Sequence, residues 1–318
     1  MQLIDGPSVH ALLDYPGLIA ALEAAHREAP PVVDRALLRP PAESAHADES
    51  FLVLPAWQPG RAMGVKMATV VPANARRAAG QATIHAAYQL FDGDDGVPLA
   101  ALDGTALTLR KTAADSGLGA RLLAPPQPRT LLMVGAGALA PHLIAAHRAA
   151  RPSIEHVAIW NRTPASRDAL VEQLAAEPFT TEASDDLDDT VATADVICCA
   201  TAATAPLISG ERLRPGQHLD LVGAFRPDMR ESDDACVQRA RLFVDLRLST
   251  LDSAGDLVQP VNDGVIARAD VRGDLYELIN GTVAGRTGDD DITLYKNGGG
   301  GHLDLFTAWH CWQRFAAA

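Results

Sequence analysis

The chain has 318 residues, of which 47% are hydrophobic and 21% charged, and this composition is typical of a folded globular protein rather than a disordered or fibrous one. Its formal net charge of −13 argues against nucleic acid and anionic membranes as partners, because their phosphates would be repelled. An anionic small substrate would need a locally basic pocket. No segment has the apolar length of a membrane span or the pattern of a signal peptide, so we expect a cytoplasmic protein.

The N-terminal third is predicted to begin with helices and to continue with strands. Residues 8–29 carry apolar side chains at helical spacing, with Ser8 as the expected N-cap and Pro16 as a break between two helices. Residues 30–50 are rich in proline, alanine and charge, which indicates a loop or an edge strand. From residue 51 to residue 101, four apolar segments predict strands.

The acidic segment Asp92–Gly96 lies between two of these strands and predicts a hairpin turn. A calcium loop of the EF-hand type needs glycine at its sixth position and glutamate at its twelfth. Counted from Asp92, these positions hold Val97 and Asp103. We therefore expect a turn without a bound ion.

The centre of the chain predicts a parallel sheet. Residues 107–124 form a predicted helix that Pro125 and Pro126 end. Short apolar runs then alternate with helical segments, a pattern typical of strands covered by helices on both faces. The cysteines include the pair Cys198-Cys199 at the end of one such run, and none of the four has zinc-ligand spacing, so we expect buried thiols and no metal.

The first of these strands carries a dinucleotide-binding pattern. The apolar run Thr130–Val134 is followed by Gly135, Gly137 and Ala140 at the spacing G-x-G-x-x-G/A, and then by a helix. The first glycine makes the tight turn, the second lets the backbone approach the pyrophosphate, and the helix N-terminus offers free N–H groups. The residues between them, Ala136, Ala138 and Leu139, complete the expected phosphate-binding loop.

The end of the second strand predicts which dinucleotide binds. An NAD-binding chain usually has Asp or Glu there, to accept a hydrogen bond from the ribose 2′-hydroxyl. Here the sequence is Asn161-Arg162-Thr163, which could bind a 2′-phosphate through the guanidinium and two polar side chains. This indicates NADPH, with NADH still possible. The alternative is that Arg162 is only a solvent-exposed turn residue.

Five segments, taken in order, resemble the ornithine cyclodeaminase/mu-crystallin family. The resemblance implies an α/β fold with a central Rossmann NADP-binding domain, residues 125–291, and an α+β substrate-binding and dimerisation domain made from residues 1–124 and 292–318. It also implies a homodimer. The segments are GVKMATVVPAN (64–74), LTLRKTAADSGLGA (107–120), the glycine motif, LVGAFRPDMRESDD (221–234) and DDITLYKNGGGGHLDL (290–305).

The resemblance also assigns site residues. Lys66 matches the family lysine near the reacting carbon, and Arg35 or Arg39 matches the arginine that binds the substrate carboxylate. Asp304 resembles a family aspartate close to the active site, with a helix N-terminal charge as its alternative role. The resemblance further implies a cofactor-binding set: Lys111, where the family usually has arginine, Thr112, Thr201 and Gly223.

Two substitutions argue against cyclodeamination. Cyclodeaminases carry an aspartate that aligns with Phe225 and a glutamate that aligns with Leu52, and neither residue here can bind or deprotonate an amine. The motifs look most like the subgroup that reduces Δ1-pyrroline-2-carboxylate and Δ1-piperideine-2-carboxylate. In that chemistry Phe225 would line the ring methylenes, and Lys66 would supply a proton or order the substrate. A dehydrogenase of alanine or another small amino acid, and a non-catalytic NADPH-binding protein, remain as alternatives.

Overall fold

The computed structural model describes residues 1–76 and 82–318, which form two compact units. The first unit consists of Met1–Lys111 together with Gly300–Ala318, and the second of Thr112–Gly299. Both chain ends thus belong to one unit, and the middle of the chain forms the other.

The first unit is built on a mixed sheet. Within the described residues its seven strands lie in the order β1-β7-β6-β5-β4-β2, with β3 also paired to β4. Strands β4 to β7 run antiparallel, and β1 pairs with β7 in parallel. The bounds are β1 Gln2–Ile4, β2 Val32–Val33, β3 Ala36–Leu38, β4 Ser50–Gln58, β5 Ala62–Val70, β6 Ile84–Asp92 and β7 Pro98–Asp103.

The pairing register places a lysine in the centre of this sheet. Lys66 on β5 lies opposite Leu54 on β4 and opposite Tyr88 on β6. Directly paired residues point to the same face of a sheet, so these three side chains share one face. The predicted strands and the turn at Asp92–Gly96 are confirmed, and Gly96 has φ +75° there.

Helices α1 (Gly6–Leu12), α2 (Tyr15–Ala25) and α11 (Gly301–Ala316) belong to the first unit, and α11 packs on α2, β4 and β5. Pro16 lies in the first turn of α2, as a break at this position predicts. The predicted N-cap Ser8 is wrong: the cap of α1 is Asp5, whose carboxylate accepts a hydrogen bond from Ser8 N at 2.9 Å.

The second unit contains an all-parallel sheet of eight strands among the described residues. Their order is β10-β9-β8-β11-β12-β15-β13-β14. Connections lead in one direction from β8 to β9 and β10, and in the other from β11 onward, so the strand order reverses between β8 and β11. The bounds are β8 Thr130–Val134, β9 His156–Trp160, β10 Thr180–Ala183, β11 Val196–Cys199, β12 His218–Leu221, β13 Arg241–Val244, β14 Val271–Gly273 and β15 Thr293–Lys296.

Seven helices accompany this sheet in the described chain: α4 Ala140–Ala150, α5 Pro164–Gln173, α6 Leu187–Thr193, α7 Asp234–Arg239, α8 Arg247–Thr250, α9 Gly255–Asn262 and α10 Leu275–Ile279. Apart from Thr130 at the start of β8, every residue of β8, β11 and β12 is buried, as expected for the centre of a parallel sheet. The four cysteines are buried thiols. Every helix in residues 1–76 and 82–318 is too short or too polar to cross a membrane.

The domain boundaries differ from the predicted ones. Residues 292–299 do not join the chain ends, because β15 pairs with β12 and β13 inside the second sheet. The other boundary falls within α3 (Gly104–Leu123), between Lys111 and Thr112, rather than after residue 124. Strands β10 and β14 are short and were not predicted.

Candidate functional site

The loop after β8 has the geometry of a phosphate-binding turn. Gly135 has φ +110°, and a side chain there would begin 2.6 Å from the carbonyl oxygen of Ala200, so only glycine fits. Its N–H donates to the carbonyl oxygen of Trp160 at 2.8 Å, which fixes the loop against β9. The predicted first glycine of the motif therefore lies in a turn that requires it.

The loop is open at its second glycine. No described heavy atom lies within 4 Å of a Cβ built on Gly137, so this part of the loop is open. Helix α4 begins at Ala140, and no side chain at Leu139 caps it. Uncapped N–H groups at a helix N-terminus favour an anion. The backbone of Ala136 to Leu139 and the start of α4 thus offer the donors that a dinucleotide phosphate needs.

The residues after β9 are arranged around an unpaired arginine. The Asn161 side chain donates to the carbonyl oxygen of Thr163 at 2.9 Å and closes the turn. Arg162 is exposed and makes no hydrogen bond or ion pair with any residue of the described chain. Thr163 is the N-cap of α5, but its hydroxyl makes no capping bond. The guanidinium and the Thr163 hydroxyl are both available to a ligand.

The two other predicted cofactor residues of this unit follow β11 and β12. Thr201 donates from its N–H and from its hydroxyl to Glu231 Oε1, at 2.7 and 2.8 Å. The Gly223 carbonyl oxygen accepts a hydrogen bond from Lys296 Nζ. Thr201 follows β11, which borders the strand-order reversal, and Gly223 follows the adjacent strand β12; open α/β sheets bind their ligands at the carboxyl ends of strands near such a reversal. Thr112 contributes a carbonyl oxygen to Asn297, at 2.9 Å.

The first unit contains a buried cluster of charged groups. Lys66 Nζ lies 2.7 Å from Asp304 Oδ2 and donates a hydrogen bond to Oδ1 at 3.0 Å. Lys111 Nζ lies 4.0 Å from Asp304 Oδ1. The exposed fractions of Lys66, Lys111 and Asp304 are 7%, 4% and 0%. The structure therefore brings together two predicted catalytic residues and one residue, Lys111, that was predicted for the cofactor.

This cluster carries an excess of positive charge. Asp304 is the one described carboxylate within ion-pair distance of either ammonium group. Burial lowers the pKa of Lys66, Asp304 raises it, and the charge of Lys111 lowers it further, with a net decrease. Nearby His302 is fully buried, and this burial, with the neighbouring His26 and the charge of Lys111, lowers its pKa well below the ordinary value, so that it is neutral. One uncompensated positive charge remains for an anionic ligand.

A tyrosine that the sequence did not single out borders the cluster. Tyr88 is 1% exposed, and its hydroxyl has no hydrogen-bond partner within residues 1–76 and 82–318. Burial and the charge of Asp304 raise the pKa of Tyr88 well above its ordinary value, so the phenol keeps its proton. The ring occupies the space over Gly64, two residues before Lys66. The signal that could have found it is a polar side chain at an inward position of β6.

Other predicted substrate residues are not in this cluster. Arg35 and Arg39 flank β3, and both are exposed. Neither forms an ion pair with a carboxylate of the described chain. Phe225, in the second unit, is 53% exposed, and the guanidinium carbon of Arg226 lies 5.9 Å from its ring centre. The choice between the two arginines, and the role of Phe225, stay predictions.

Comparison with known proteins places the whole chain in one group. A sequence model described as the ornithine cyclodeaminase/mu-crystallin family matches residues 9–317. The chain is 46% identical, over 253 residues, to a Δ1-pyrroline-2-carboxylate reductase of Paracoccus denitrificans, with 80% of this chain and 79% of the relative covered. It is 45% identical, over 266 residues, to the protein SAR DEFICIENT 4 of Arabidopsis thaliana, with 81% of each chain covered.

The fold has a close solved counterpart. The structure of the Δ1-pyrroline-2-carboxylate reductase of Thermococcus litoralis, in complex with NADH and L-proline, aligns with a TM-score of 0.92 at 25% identity. The alignment covers 100% of this chain and 98% of the other. This likeness confirms the predicted α/β fold with a Rossmann-type unit.

Proposed function

The chain belongs to the ornithine cyclodeaminase/mu-crystallin family, and from this membership we propose that it is an NADPH-dependent reductase of cyclic imino acids. The proposed reactions convert Δ1-pyrroline-2-carboxylate to proline and Δ1-piperideine-2-carboxylate to pipecolate. The observation that carries the proposal is the buried cluster of Lys66, Lys111 and Asp304, whose two ammonium groups and single carboxylate leave an excess of positive charge that suits a small carboxylate.

The cluster supports the binding and protonation of such a substrate. An imino acid carries a carboxylate that would balance the second ammonium group, which Asp304 alone leaves uncompensated. The imine carbon becomes strongly electrophilic once the nitrogen is protonated. Lys66 has a lowered pKa and so gives up its proton more readily than an exposed lysine. When bound, the reduced nicotinamide supplies the hydride that completes the reduction.

The residues in the turn after β9 favour NADPH over NADH as the cofactor. The turn offers the exposed Arg162 guanidinium without a competing carboxylate partner. A bidentate contact to a 2′-phosphate is the interaction for which this planar group is suited. An NAD-specific site would instead present an acidic residue there.

A homodimer is proposed through the first unit. Four large apolar side chains on β2, β3 and β4 share one face of the sheet, because Val32 pairs with Trp57, Leu38 pairs with Phe51, and Phe51 and Trp57 are six residues apart on β4. Their exposed fractions run from 37% to 65%, and such a concentration on one face is typical of an interface.

The experiment that tests the function measures loss of reduced-nicotinamide absorbance with each cyclic imine, in parallel with NADPH and NADH. We expect turnover with both imines and a higher kcat/KM for NADPH. Ammonia-dependent reduction of an open-chain 2-oxo acid, faster than that of either imine, would instead identify an amino acid dehydrogenase. Cofactor binding without turnover on any of these compounds would contradict a catalytic role.

A further inference from the structure

We propose that Glu231 is a positioning residue for the nicotinamide cofactor. Its carboxylate fixes Thr201, and its backbone N–H is linked through Asp256 and Lys296 to the backbone of Gly223. The inference rests on the proposed function only in that a nicotinamide dinucleotide binds to the second unit. It adds three buried charged residues that the sequence did not connect with the cofactor.

Glu231 controls the orientation of Thr201. Its Oε1 atom accepts hydrogen bonds from both the N–H and the hydroxyl of Thr201, at 2.7 and 2.8 Å. The methyl group of Thr201 lies 3.4 Å from the point where a side chain on Gly135 would begin, so Thr201 borders the glycine loop. Glu231 itself is fully buried. The Glu231 carboxylate therefore holds Thr201 in the orientation in which its methyl group faces the loop after β8.

The backbone of Glu231 is connected to Gly223 through the ion pair of Asp256 and Lys296. Asp256 Oδ1 accepts a hydrogen bond from Glu231 N at 2.7 Å, and its Oδ2 lies 3.1 Å from Lys296 Nζ. Lys296 Nζ also donates to the Gly223 carbonyl oxygen. Asp256 and Lys296 are fully buried. A Cβ on Gly223 would overlap the Glu231 carboxylate, so this position needs glycine.

The backbone that the network holds is strained. Ala224 is in the left-handed region, with φ +49°, and it is the one described non-glycine residue there. Its carbonyl oxygen accepts a hydrogen bond from Gly255 N at 2.9 Å, next to Asp256. Such a conformation is unfavourable for a residue with a side chain and persists when the surroundings fix it, typically at functional sites.

The location of the network favours a functional role over a purely structural one. Burying charged groups is costly, and an apolar core of the same volume is often more stable. These charges lie where the carboxyl ends of β11, β12 and β15 meet, beside the strand-order reversal at which such sheets bind ligands. We infer that they are present because the cofactor needs Thr201 and Gly223 in one fixed arrangement.

The test is cofactor affinity, measured on the whole protein without substrate. In Glu231→Gln the charged acceptor becomes neutral with nearly the same shape, and a charged hydrogen bond exceeds a neutral one by about 1 kcal/mol, so NADPH affinity should fall about fivefold. Thr201→Val should weaken binding in the wild-type background and have a smaller effect in the Glu231→Gln background. Thr201→Ser, which keeps the hydroxyl, should bind almost as well as wild type.

A matched control lies at the opposite end of β11. Asp195 accepts hydrogen bonds from Arg129 N and Thr130 N, at 2.7 and 3.0 Å, and is only partly buried. Asp195→Asn should lower Tm without changing NADPH affinity.

If Glu231→Gln lowers Tm and leaves NADPH affinity unchanged, the positioning role is wrong. If Glu231→Gln does not fold, equal NADPH binding by Thr201→Val and Thr201→Ser overturns the proposal. Failure of wild type to bind any nicotinamide cofactor would refute the proposed function instead.

A pH profile separates this role from packing. Burial, aided by the negative charge of Asp256 and opposed by the positive charge of Lys296, raises the pKa of Glu231 to about 7, and the Cys199 thiol lies beside the carboxylate. Glu231→Gln resembles the protonated acid at every pH. The ratio of NADPH dissociation constants between Glu231→Gln and wild type should therefore be largest above pH 7 and decrease below it. A ratio of constant size across this range contradicts the proposal.

Discussion

Lys66 Nζ and Asp304 Oδ2 are 2.7 Å apart, although the two residues are separated by 238 positions in the sequence. The contact exists because β5 brings Lys66 to the middle of a sheet on which the first turn of α11 packs. One residue comes from each end of the chain. The pair therefore forms only when both ends are folded into the same unit.

Lys66→Ala should abolish most of the proposed activity. The substitution removes the expected proton donor and one of the two ammonium groups, and loss of a positioned general acid typically costs about 10²–10⁴-fold in rate. We expect kcat with Δ1-pyrroline-2-carboxylate to fall by at least about 100-fold, while NADPH affinity is unchanged. Lys66→Arg is the matched variant, since it keeps the charge and holds its proton more tightly. Equal kcat values for Lys66→Arg and wild type would contradict the proton-donor role.

Asp304→Asn should shift the alkaline limb of the pH profile. Asp304 raises the pKa of Lys66, whereas burial and Lys111 lower it. Activity that needs protonated Lys66 is present at low pH and is lost as pH rises through this pKa. Without the Asp304 charge the pKa falls further, so the loss should begin at a lower pH than in wild type. The measurement is kcat against pH, and a limb that stays in place or moves to higher pH would show that Lys66 is not the titrating group.

Arg162→Ala should reduce the preference for NADPH. The loss of charge-assisted hydrogen bonds to a 2′-phosphate is worth about 1.5–3 kcal/mol, or roughly 10- to 100-fold in KM for NADPH. KM for NADH should change little, because NADH has no 2′-phosphate. Arg167 on α5 is a suitable control, since it already pairs with Asp168 at 2.8 Å. Similar effects of Arg162→Ala on both cofactors would indicate a general structural role for this side chain.

Trp57→Glu should dissociate the proposed homodimer. Trp57 lies on β4 and is 46% exposed. A carboxylate buried without a partner at an interface is costly, so the mass measured by light scattering should halve. Leu248→Glu is the control, since Leu248 lies in the second unit and is 71% exposed. A monomeric wild type, or a dimeric Trp57→Glu, would refute an interface on this sheet.

The sequence predicts repeating patterns well and isolated pairings poorly. The glycine loop after β8 could be predicted because the tight turn after the strand needs glycine at its first position, which the φ of +110° at Gly135 bears out. Strand β15 could not be placed, since its partners β12 and β13 precede it by many residues and a short apolar run does not identify them. The Asp5 cap was missed because Ser8, a good cap residue, lies nearer the apolar pattern.

The sequence predicted the site residues that lie in motifs and missed the polar residues that only their burial distinguishes. Lys66 and Asp304 both lie in family-like segments, but their ion pair is a product of tertiary packing. Tyr88 lies on β6, and Glu231 lies in the irregular segment between β12 and α7. No local sequence pattern distinguishes a buried polar residue that holds a site from one that only packs in the core. Lys111 was assigned to the cofactor by resemblance, and the structure places its ammonium 4.0 Å from Asp304.

Gly64→Ala should destabilise the first unit through Tyr88. A Cβ on Gly64 would lie 2.7 Å from the ring atom Cε1 of Tyr88, and the ring is fully buried and cannot move aside without displacing its neighbours. Overpacking of this kind typically costs about 1–3 kcal/mol in the free energy of unfolding. Tyr88→Leu removes the ring, so Gly64→Ala should lower the free energy of unfolding less in the Tyr88→Leu background than in the wild-type background. The measurement is urea unfolding of all four proteins, and independent, additive effects of the two substitutions would show that the Gly64 backbone and the Tyr88 ring are not in contact.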